Sequence, residues 1–421
     1  MRKIIQYMMM ALIAVVLASC ANDISEESTP TVKSNIRFVV DDFPMFEKPS
    51  TRTIGEEDKG KTAWAVGDEI CVKLESKELG IQTATLKYNG VKFEIQDGNS
   101  LCYLDGEPVT AYAYYAPGRK WLNDGYLGYK DGERDGTEEF LEATCTVHYG
   151  DDNYIDISFA TATRNYSRLR IATMPNKPIT VDINYFTPAG SSDMKWDQNY
   201  ALTSDEKGNA YLYGTFENNS EVTVKYREAA LTTHTFSQAT ESAKSYALDA
   251  TVISANSAEE IKSAIKQKVA DGKTTIRLNL APNAGTDEFM AIREAIKGAA
   301  PNDEGTIELT IIGVETIPEE AFKRMSQLKS VKMPDVKEIK KYAFSECQYL
   351  TVVEAPSLNK LNSGAFNECY LLSKLTFGPI NYADARYWQI FEDITPNIDL
   401  ILSDYQKEMI ETDDDLYTAN N

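Results

Sequence analysis

Ile317-Pro318-Glu319-Glu320-Ala321-Phe322 is followed by Ile339-Lys340-Lys341-Tyr342-Ala343-Phe344 and by Leu361-Asn362-Ser363-Gly364-Ala365-Phe366, each 22 residues after the last. The register does not stop at the Ala-Phe pair. Leu328, Leu350 and Leu372 keep it, as do Val331, Val353 and Leu375, and then Met333, Ala355 and Phe377. A fixed period in the low twenties marks a solenoid, whose units cannot bury their apolar face alone and do so by stacking on neighbours. Within each unit, Leu-x-x-Val/Leu-x-apolar reads as a short strand, and the Ala-Phe pair reads as a turn of helix ahead of it.

The register extends in both directions from this block. Leu309, Ile311 and Val314 stand 22 before Val331, Met333 and Val336, which predicts an entry strand. Ile398, Leu400 and Leu402 alternate as a final strand, and an acidic tail at 404–421 carries Asp413 to Asp415. Upstream, 249–312 reads as an α/β cap. Ser257 and Glu260 form a capping box ahead of Ile261, Ala264, Ile265 and Val269 at helical spacing, with Gly272 as the stop. A strand from Ile276 to Leu280 and a second helix over about Asp287 to Lys297 follow. A solenoid needs such an end to shield its open apolar cross-section.

The pattern I…AF..C..L..V..P over 313–403 resembles the BspA-type leucine-rich repeats of bacterial surface proteins. Pro334 and Pro356 end two of the strands and Gly378 takes the same place in the third. Cys347 and Cys369 fall at the family's small, often cysteine, position, where a stacked interior thiol is the reading. In the repeat strands, side chains alternate in direction, so one face of the solenoid carries Lys329, Ser330 and Lys332, then Thr351, Val352 and Glu354, then Ser373, Lys374 and Thr376. Lys329, Lys332, Val352, Glu354, Lys374 and Thr376 are the candidate partner-binding residues, with Lys332 beside Glu354 as a pair between rungs.

From 34 to 248 the periodicity changes to short alternating strands separated by Gly, Asn, Asp and Pro. Ile36 to Val40, Ile70 to Leu74, Thr83 to Tyr88, Val91 to Ile95, Val109 to Ala116, Ile179 to Tyr185 and Val222 to Tyr226 are examples. This predicts an all-β region, a sandwich over 34–155 and a second sandwich or a continuation of the first over 156–248. Tyr112, Tyr114 and Tyr115 are read as strand formers on a half-buried face rather than as a sugar platform. Thr51-Arg52-Thr53, Trp64-Ala65-Val66-Gly67-Asp68-Glu69-Ile70 and the tyrosine-rich strand ending at Ala116-Pro117 resemble the fimbrillin-like domains of Bacteroides surface lipoproteins. That resemblance implies transthyretin-like sandwiches, lipoprotein export and, in polymerising members, strand donation between subunits after cleavage at an arginine, for which Arg52 is the candidate. The expected fold is thus multidomain: an all-β fimbrillin-like region, an α/β cap and a short leucine-rich-repeat solenoid.

At the amino terminus, Arg2 and Lys3 precede an apolar run from Tyr7 to Leu17, as in a secretory signal over 1–19. Leu17-Ala18-Ser19-Cys20 resembles the lipobox of bacterial lipoproteins, which implies lipid attachment at Cys20. The stretch 20–33, with Asp23, Glu26, Glu27 and Pro30, reads as a solvated tether. An acidic stretch after the lipidated cysteine looks like the signal that places such proteins on the outer face of the outer membrane. Five cysteines remain, Cys71, Cys102, Cys145, Cys347 and Cys369, an odd number with no Cys-x-x-Cys pair, which argues against a dense disulfide framework.

Composition removes several function classes. With 43 Lys plus Arg against 64 Asp plus Glu, the net charge of −21 supplies no footprint for phosphate neutralisation, so no nucleic-acid partner is expected. Two histidines, His148 and His234, cannot build a multi-histidine metal or catalytic centre. Asp131-x-Glu133-x-Asp135-Gly136 with Glu142 nearly fits a calcium loop, but Glu133 and Glu138 stand at the wrong places and the flanks are not helical, so it reads as an acidic loop. No P-loop, dinucleotide fingerprint or nucleophile elbow is present. The expectation is a non-enzymatic, lipid-anchored surface protein that binds a protein or glycan ligand, without cofactor or metal. A fimbrial subunit or accessory protein assembling with other subunits is the alternative, and a carboxylate-based glycan hydrolase ranks third.

Overall fold

The computed structural model describes residues 31–378, apart from 35, 51–53, 56–57, 97–99, 124, 131–134, 161–163, 228, 256 and 301, together with the backbone of 399–401. The signal segment, Cys20, most of the tether, Arg52 and the acidic tail lie outside the described residues, as do Asp131 and Glu133.

The amino-terminal half is β, as expected. Its first seven-stranded sheet comprises β1 (Arg37–Val40), β2 (Glu69–Ser76), β3 (Gly80–Tyr88), β4 (Phe93–Ile95), β5 (Thr110–Tyr115), β6 (Leu141–His148) and β7 (Tyr154–Ser158), in the order β1-β7-β6-β5-β2-β3-β4. β1 and β7 run parallel and the other neighbours antiparallel. The edge strands β1 and β4 lie near each other, so the sheet curls over one core. Alternation dictates that core: Ile70, Val72 and Leu74 of β2 point inward and are fully buried, while Glu69, Lys73 and Glu75 on the other face are part-exposed. Half-buried Trp64 packs against that core, with ring centroids of Phe43, Phe93, Tyr115 and Phe159 at 4.9 to 5.6 Å and its indole N–H donated to the Asp41 carbonyl at 2.8 Å. Within the Trp-Ala-Val-Gly-Asp-Glu-Ile stretch, Trp64 thus has its one polar atom satisfied and Ile70 is fully buried, whereas Val66 is 76% exposed.

A second sheet follows, of β8 (Ser167–Ala172), β9 (Pro178–Pro188), β10 (Lys195–Thr203), β11 (Asn209–Phe216), β12 (Glu221–Tyr226), β13 (Ala229–Thr235) and β14 (Ser245–Asp249). The order is β13-β12-β9-β11-β8-β14, with β10 on the other side of β9. The long β9 gives its first residues to β10 and β12 and its last to β11, and Tyr185, at φ +49°, sits where the partners change. This sheet has its own core, including Val181, Ile183, Phe186, Leu212, Phe216 and Val224.

Two links tie the β domains together. Residues 47–50 and 54–55, in the amino-terminal stretch read as the first sandwich, strap onto the second domain: Glu47 N–H donates to Ala243, Ser245 N–H to Glu47 and Ala247 N–H to Ile54. Between the domains, Arg164 is 1% exposed and ion-paired with buried Glu139, donates to the Pro44 carbonyl at 3.1 Å, and stacks over Phe46 at 3.7 Å. Burial holds the Glu139 carboxyl above its ordinary range, with Arg164 opposing that shift. A buried ion pair of this kind gives little net stability but penalises any arrangement that separates its members.

The carboxy-terminal half is one parallel sheet: β15 (Ile253–Ser254), β16 (Thr275–Asn279), β17 (Ile307–Ile312), β18 (Leu328–Lys332), β19 (Val352–Ala355), β20 (Lys374–Phe377) and β21 (Asp399–Ile401), in chain order. Helices α1 (Ala258–Ala270) and α2 (Thr286–Ala299) connect the first three strands. Ser257 caps α1 by accepting from the Glu260 N–H at 3.3 Å, and Gly272 takes the left-handed conformation just past its end. α2 starts at Thr286, where the Glu288 carboxylate accepts from the Gly285 N–H at 2.8 Å. The cap is anchored to the second β domain, because Ile312 belongs to that domain's core and Arg277 donates to the Leu231 carbonyl at 2.5 Å.

Inside the solenoid the repeat columns become stacks. Phe322, Phe344 and Phe366 lie ring over ring at 5.2 and 5.4 Å, and Phe289 of α2 meets the first of them edge-on at 5.6 Å. The helical cap therefore plugs the open end of the stack with an aromatic side chain. Cys347 and Cys369 are buried and free, and each thiol donates to the carbonyl of the previous repeat's phenylalanine, at 3.0 and 3.1 Å. Burial pushes the Cys347 thiol up to about 12, a value at which it is neither nucleophile nor metal ligand.

One expectation is corrected. The Ala-Phe pair does not sit on a turn of helix; the segment is a run of turns. Glu320, Tyr342 and Gly364 occupy positive φ at 55°, 54° and 67°, and Arg324, Glu346 and Glu368 do so at 60°, 61° and 57°. Two left-handed residues per repeat break any helix. The amides they redirect bond across to the next rung instead, Phe322 to Ala343 at 2.7 Å and Arg324 to Ser345 at 2.9 Å, then Phe344 to Ala365 at 2.8 Å and Glu346 to Asn367 at 2.7 Å. Each unit also carries a second short strand, at Thr316–Ile317, Glu338–Ile339 and Lys360–Leu361, paired in parallel.

Candidate binding surface of the solenoid

Strands β17 to β20 set the outward side chains in columns. Cα register places Thr310, Lys332, Glu354 and Thr376 side by side, and likewise Glu308, Ser330, Val352 and Lys374. The side chains between these positions, Leu309, Val331, Val353 and Leu375, are buried, so the two columns form one flat face. Lys332 and Glu354 pair at 3.2 Å, as their spacing predicts. Lys329 pairs with Glu308, the first residue of the second column, at 2.8 Å, and that hydrogen bond, with the charge behind it, holds its ammonium above the ordinary lysine range. Thr351 donates to the Lys329 carbonyl at 2.9 Å and Ser373 to that of Thr351 at 3.1 Å, closing the side of the ladder.

The structure thus brings Lys332, Val352, Glu354, Lys374 and Thr376 onto one surface and puts Lys329 on its margin. Glu308 extends the face by one rung, while Thr310 of the same strand, in register with Lys332, is buried. They are reached by carrying the 22-residue register back through Leu309 and Ile311, so the signal for them lies in the sequence. Exposed pairs of this kind contribute roughly 0–1 kcal/mol each to stability. They leave a face with both charge signs, hydroxyls and a single apolar side chain, Val352, suited to a polar partner rather than a greasy one. A further set of pairs spaced by 22 residues, Arg324 with Glu346 at 2.6 Å, Glu315 with Lys337 at 2.6 Å and Glu338 with Lys360 at 2.9 Å, lies off this face and sets the rung order.

Elsewhere, Asp135 of the acidic loop pairs with Arg119 at 3.2 Å and Glu142 lies in β6. His148 stacks on Tyr154 at 4.1 Å and contacts Asp156 at 3.1 Å, whereas His234 is in the second β domain against Phe236. The five cysteines after Cys20 are all free. Among the described residues no helix is long and apolar enough to cross a membrane.

This architecture is that of a leucine-rich solenoid set on β domains, and comparison with known proteins supports its carboxy-terminal part. Residues 306–398 match the BspA type leucine rich repeat region in six copies. No curated protein matches the chain. Among solved structures, a protein of Bacteroides fragilis NCTC 9343 provisionally described as a cell adhesion protein aligns over 52% of this chain and 93% of its own, with 11% identity and a TM-score of 0.26. A mutant of the shaft pilin spaA of Lactobacillus rhamnosus GG aligns over 52% of this chain and 96% of its own, with 10% identity and a TM-score of 0.18.

Proposed function

We propose that the protein is a lipid-anchored binding or adhesion protein of the bacterial cell surface, held to the outer membrane through Cys20, with its β domains as a stalk and its solenoid face as the contact surface. The observation that carries this reading is the parallel sheet whose outward columns set Lys332, Val352, Glu354, Lys374 and Thr376 side by side. It stands on a cap fixed to the second β domain by Ile312 and Arg277. Such a surface works by complementarity with a protein or glycan and involves no chemical step. Two measurements test it. Cys20→Ala should abolish incorporation of a labelled fatty acid and release the protein from the membrane fraction; retention would remove the anchor from the account. Cells carrying Lys332→Glu, Val352→Asp and Lys374→Glu together should attach less to host matrix, while unchanged attachment with normal surface display would exclude the face.

A second reading, a fimbrial subunit or accessory protein, is favoured by one feature. The strap binds the second β domain on both sides of Arg52, through Ser50 to Glu241 at 2.9 Å and through the Gly55–Tyr246 bridge. A cut there would loosen the strap along β14 and open an edge for a donor strand. A ladder of stable oligomers after arginine-specific proteolysis, lost in Arg52→Gln, would establish that reading, and a strict monomer would eliminate it.

A further inference from the structure

Between the two β domains lies a cleft of about 1050 Å³, walled on one side by Lys61, Tyr115 and residues 135–139 and on the other by β10 and β11. It is remote in sequence from the solenoid and belongs to none of the surfaces described above. Its size is at the top of the range for small-ligand sites. Three tyrosines line it, Tyr200 from β10 and Tyr211 and Tyr213 from β11. Their backs are supported: Tyr200 packs edge-on against Phe186, Tyr213 against Tyr166, and the Arg168 guanidinium lies 5.2 Å from the Tyr211 ring centroid.

The polar groups of the lining are held as well. Asp205 accepts from the Lys207 and Asn209 amides at 2.9 and 2.8 Å, Asn209 accepts from Arg170 at 2.9 Å, and Asn199 donates to Asp182 at 2.5 Å. Groups fixed this way lose little freedom when a ligand arrives, which is the condition for a site that binds without rearranging.

The chemistry of the walls selects the ligand. Of the two lysines Lys61 is already paired with Asp68, and Arg119 and Arg164 are paired with the lining carboxylates Asp135 and Glu139, so the walls offer an anion little uncommitted positive charge. An apolar ligand would strand the hydroxyls, amides and carboxylates around it. An extended peptide laid along β10 would need apolar pockets for alternate side chains, and the aliphatic lining amounts to Pro117, Ala201, Leu202 and Ala210. What remains is a neutral ligand with flat apolar faces edged by hydroxyl groups. We propose that this cleft binds a neutral oligosaccharide, with Tyr211 as the stacking surface and Asp205, Asn199 and Asn209 as hydrogen-bond partners of its hydroxyls. No hydrolysis is implied, since Glu139, the buried carboxyl of the cleft, is committed to Arg164.

The test is calorimetric titration of the full chain with neutral hexasaccharides of glucose, mannose, xylose and N-acetylglucosamine, alongside a sulfated hexasaccharide and a ten-residue Thr/Val peptide. At least one neutral sugar should bind at millimolar concentration or below. Tyr211→Ala should weaken it by about tenfold or more, equivalent to about 1.4 kcal/mol, while Tyr211→Phe, which keeps the ring and reports on folding, should bind within a few-fold of the parent. The solenoid triple variant should bind the sugar like the parent, so the cleft and the solenoid reading fail separately. Binding by the sulfated sugar or the peptide alone, no binding by any neutral sugar, or an unchanged affinity in Tyr211→Ala would overturn the proposal.

Discussion

The solenoid and the β domains solve the same problem, burying apolar side chains, by opposite means. In the solenoid each phenylalanine, leucine and cysteine meets its own equivalent one repeat away, so every rung is both core and template for the next. In the β domains partners lie far apart in sequence: β1 pairs with β7, and the strap at Glu47 and Ile54 crosses to 243–247. Local repetition tolerates variation at any one rung as long as the column continues, whereas the β domains depend on a few contacts that occur once. Substitutions should therefore act differently in the two halves.

The largest effect should come from the middle of the aromatic column. Phe344→Ala removes a ring stacked on both sides and should cost about 3–5 kcal/mol, with the solenoid melting ahead of the β domains in urea. A single transition with unchanged midpoint would mean that the column is not what holds the rungs. In the β half the comparable point is Arg164. Arg164→Met leaves Glu139 buried without its cation and should cost about 3 kcal/mol, read as a lower urea midpoint for the β domains with the solenoid transition unmoved.

Smaller effects sharpen the contrast. Gly364→Ala places a methyl at φ +67°, 2.3 Å from the Tyr342 ring, and should destabilise by about 1–2 kcal/mol. The reverse change, Glu320→Gly at φ +55°, should raise the midpoint, since glycine accepts that conformation without strain. The smallest effect concerns acid. Burial pulls the Asp58 carboxyl up, but the Gly60 amide at 2.8 Å and Arg168 at 2.8 Å outweigh it and leave it below its ordinary value of 3.8. Its contribution is thus present at neutral pH and lost as pH falls below about 4 through the folded-state value. Asp58→Asn should flatten that acid limb slightly.

The repeat was legible because translation by 22 residues brings like onto like, so one alignment of the chain with itself locates core, face and cap. The turns were misread as helix because Ala-Phe is a good helical pair, while the left-handed sites fall on Glu320, Tyr342, Arg324, Glu346 and Glu368, residues with no visible preference for it; only Gly364 advertises the conformation. In the amino-terminal half, alternation located the strands but could not pair them, since a strand's hydrophobic face says which side is buried and not which neighbour it meets. The strap and the Arg164–Glu139 pair had no signal, being single long-range contacts among polar residues. Nor did the cleft: of its tyrosines Tyr115 reads in the sequence as a strand former, and Tyr200, Tyr211 and Tyr213 carry no motif.

The central claim is that the solenoid face is the contact surface. The direct measurement is binding of the purified protein to an array of matrix proteins and glycans, comparing the parent with the Lys332→Glu, Val352→Asp, Lys374→Glu variant at matched folding. The account predicts that the variant loses at least one strong signal that Tyr211→Ala retains. Identical profiles for the parent and the triple variant would contradict it.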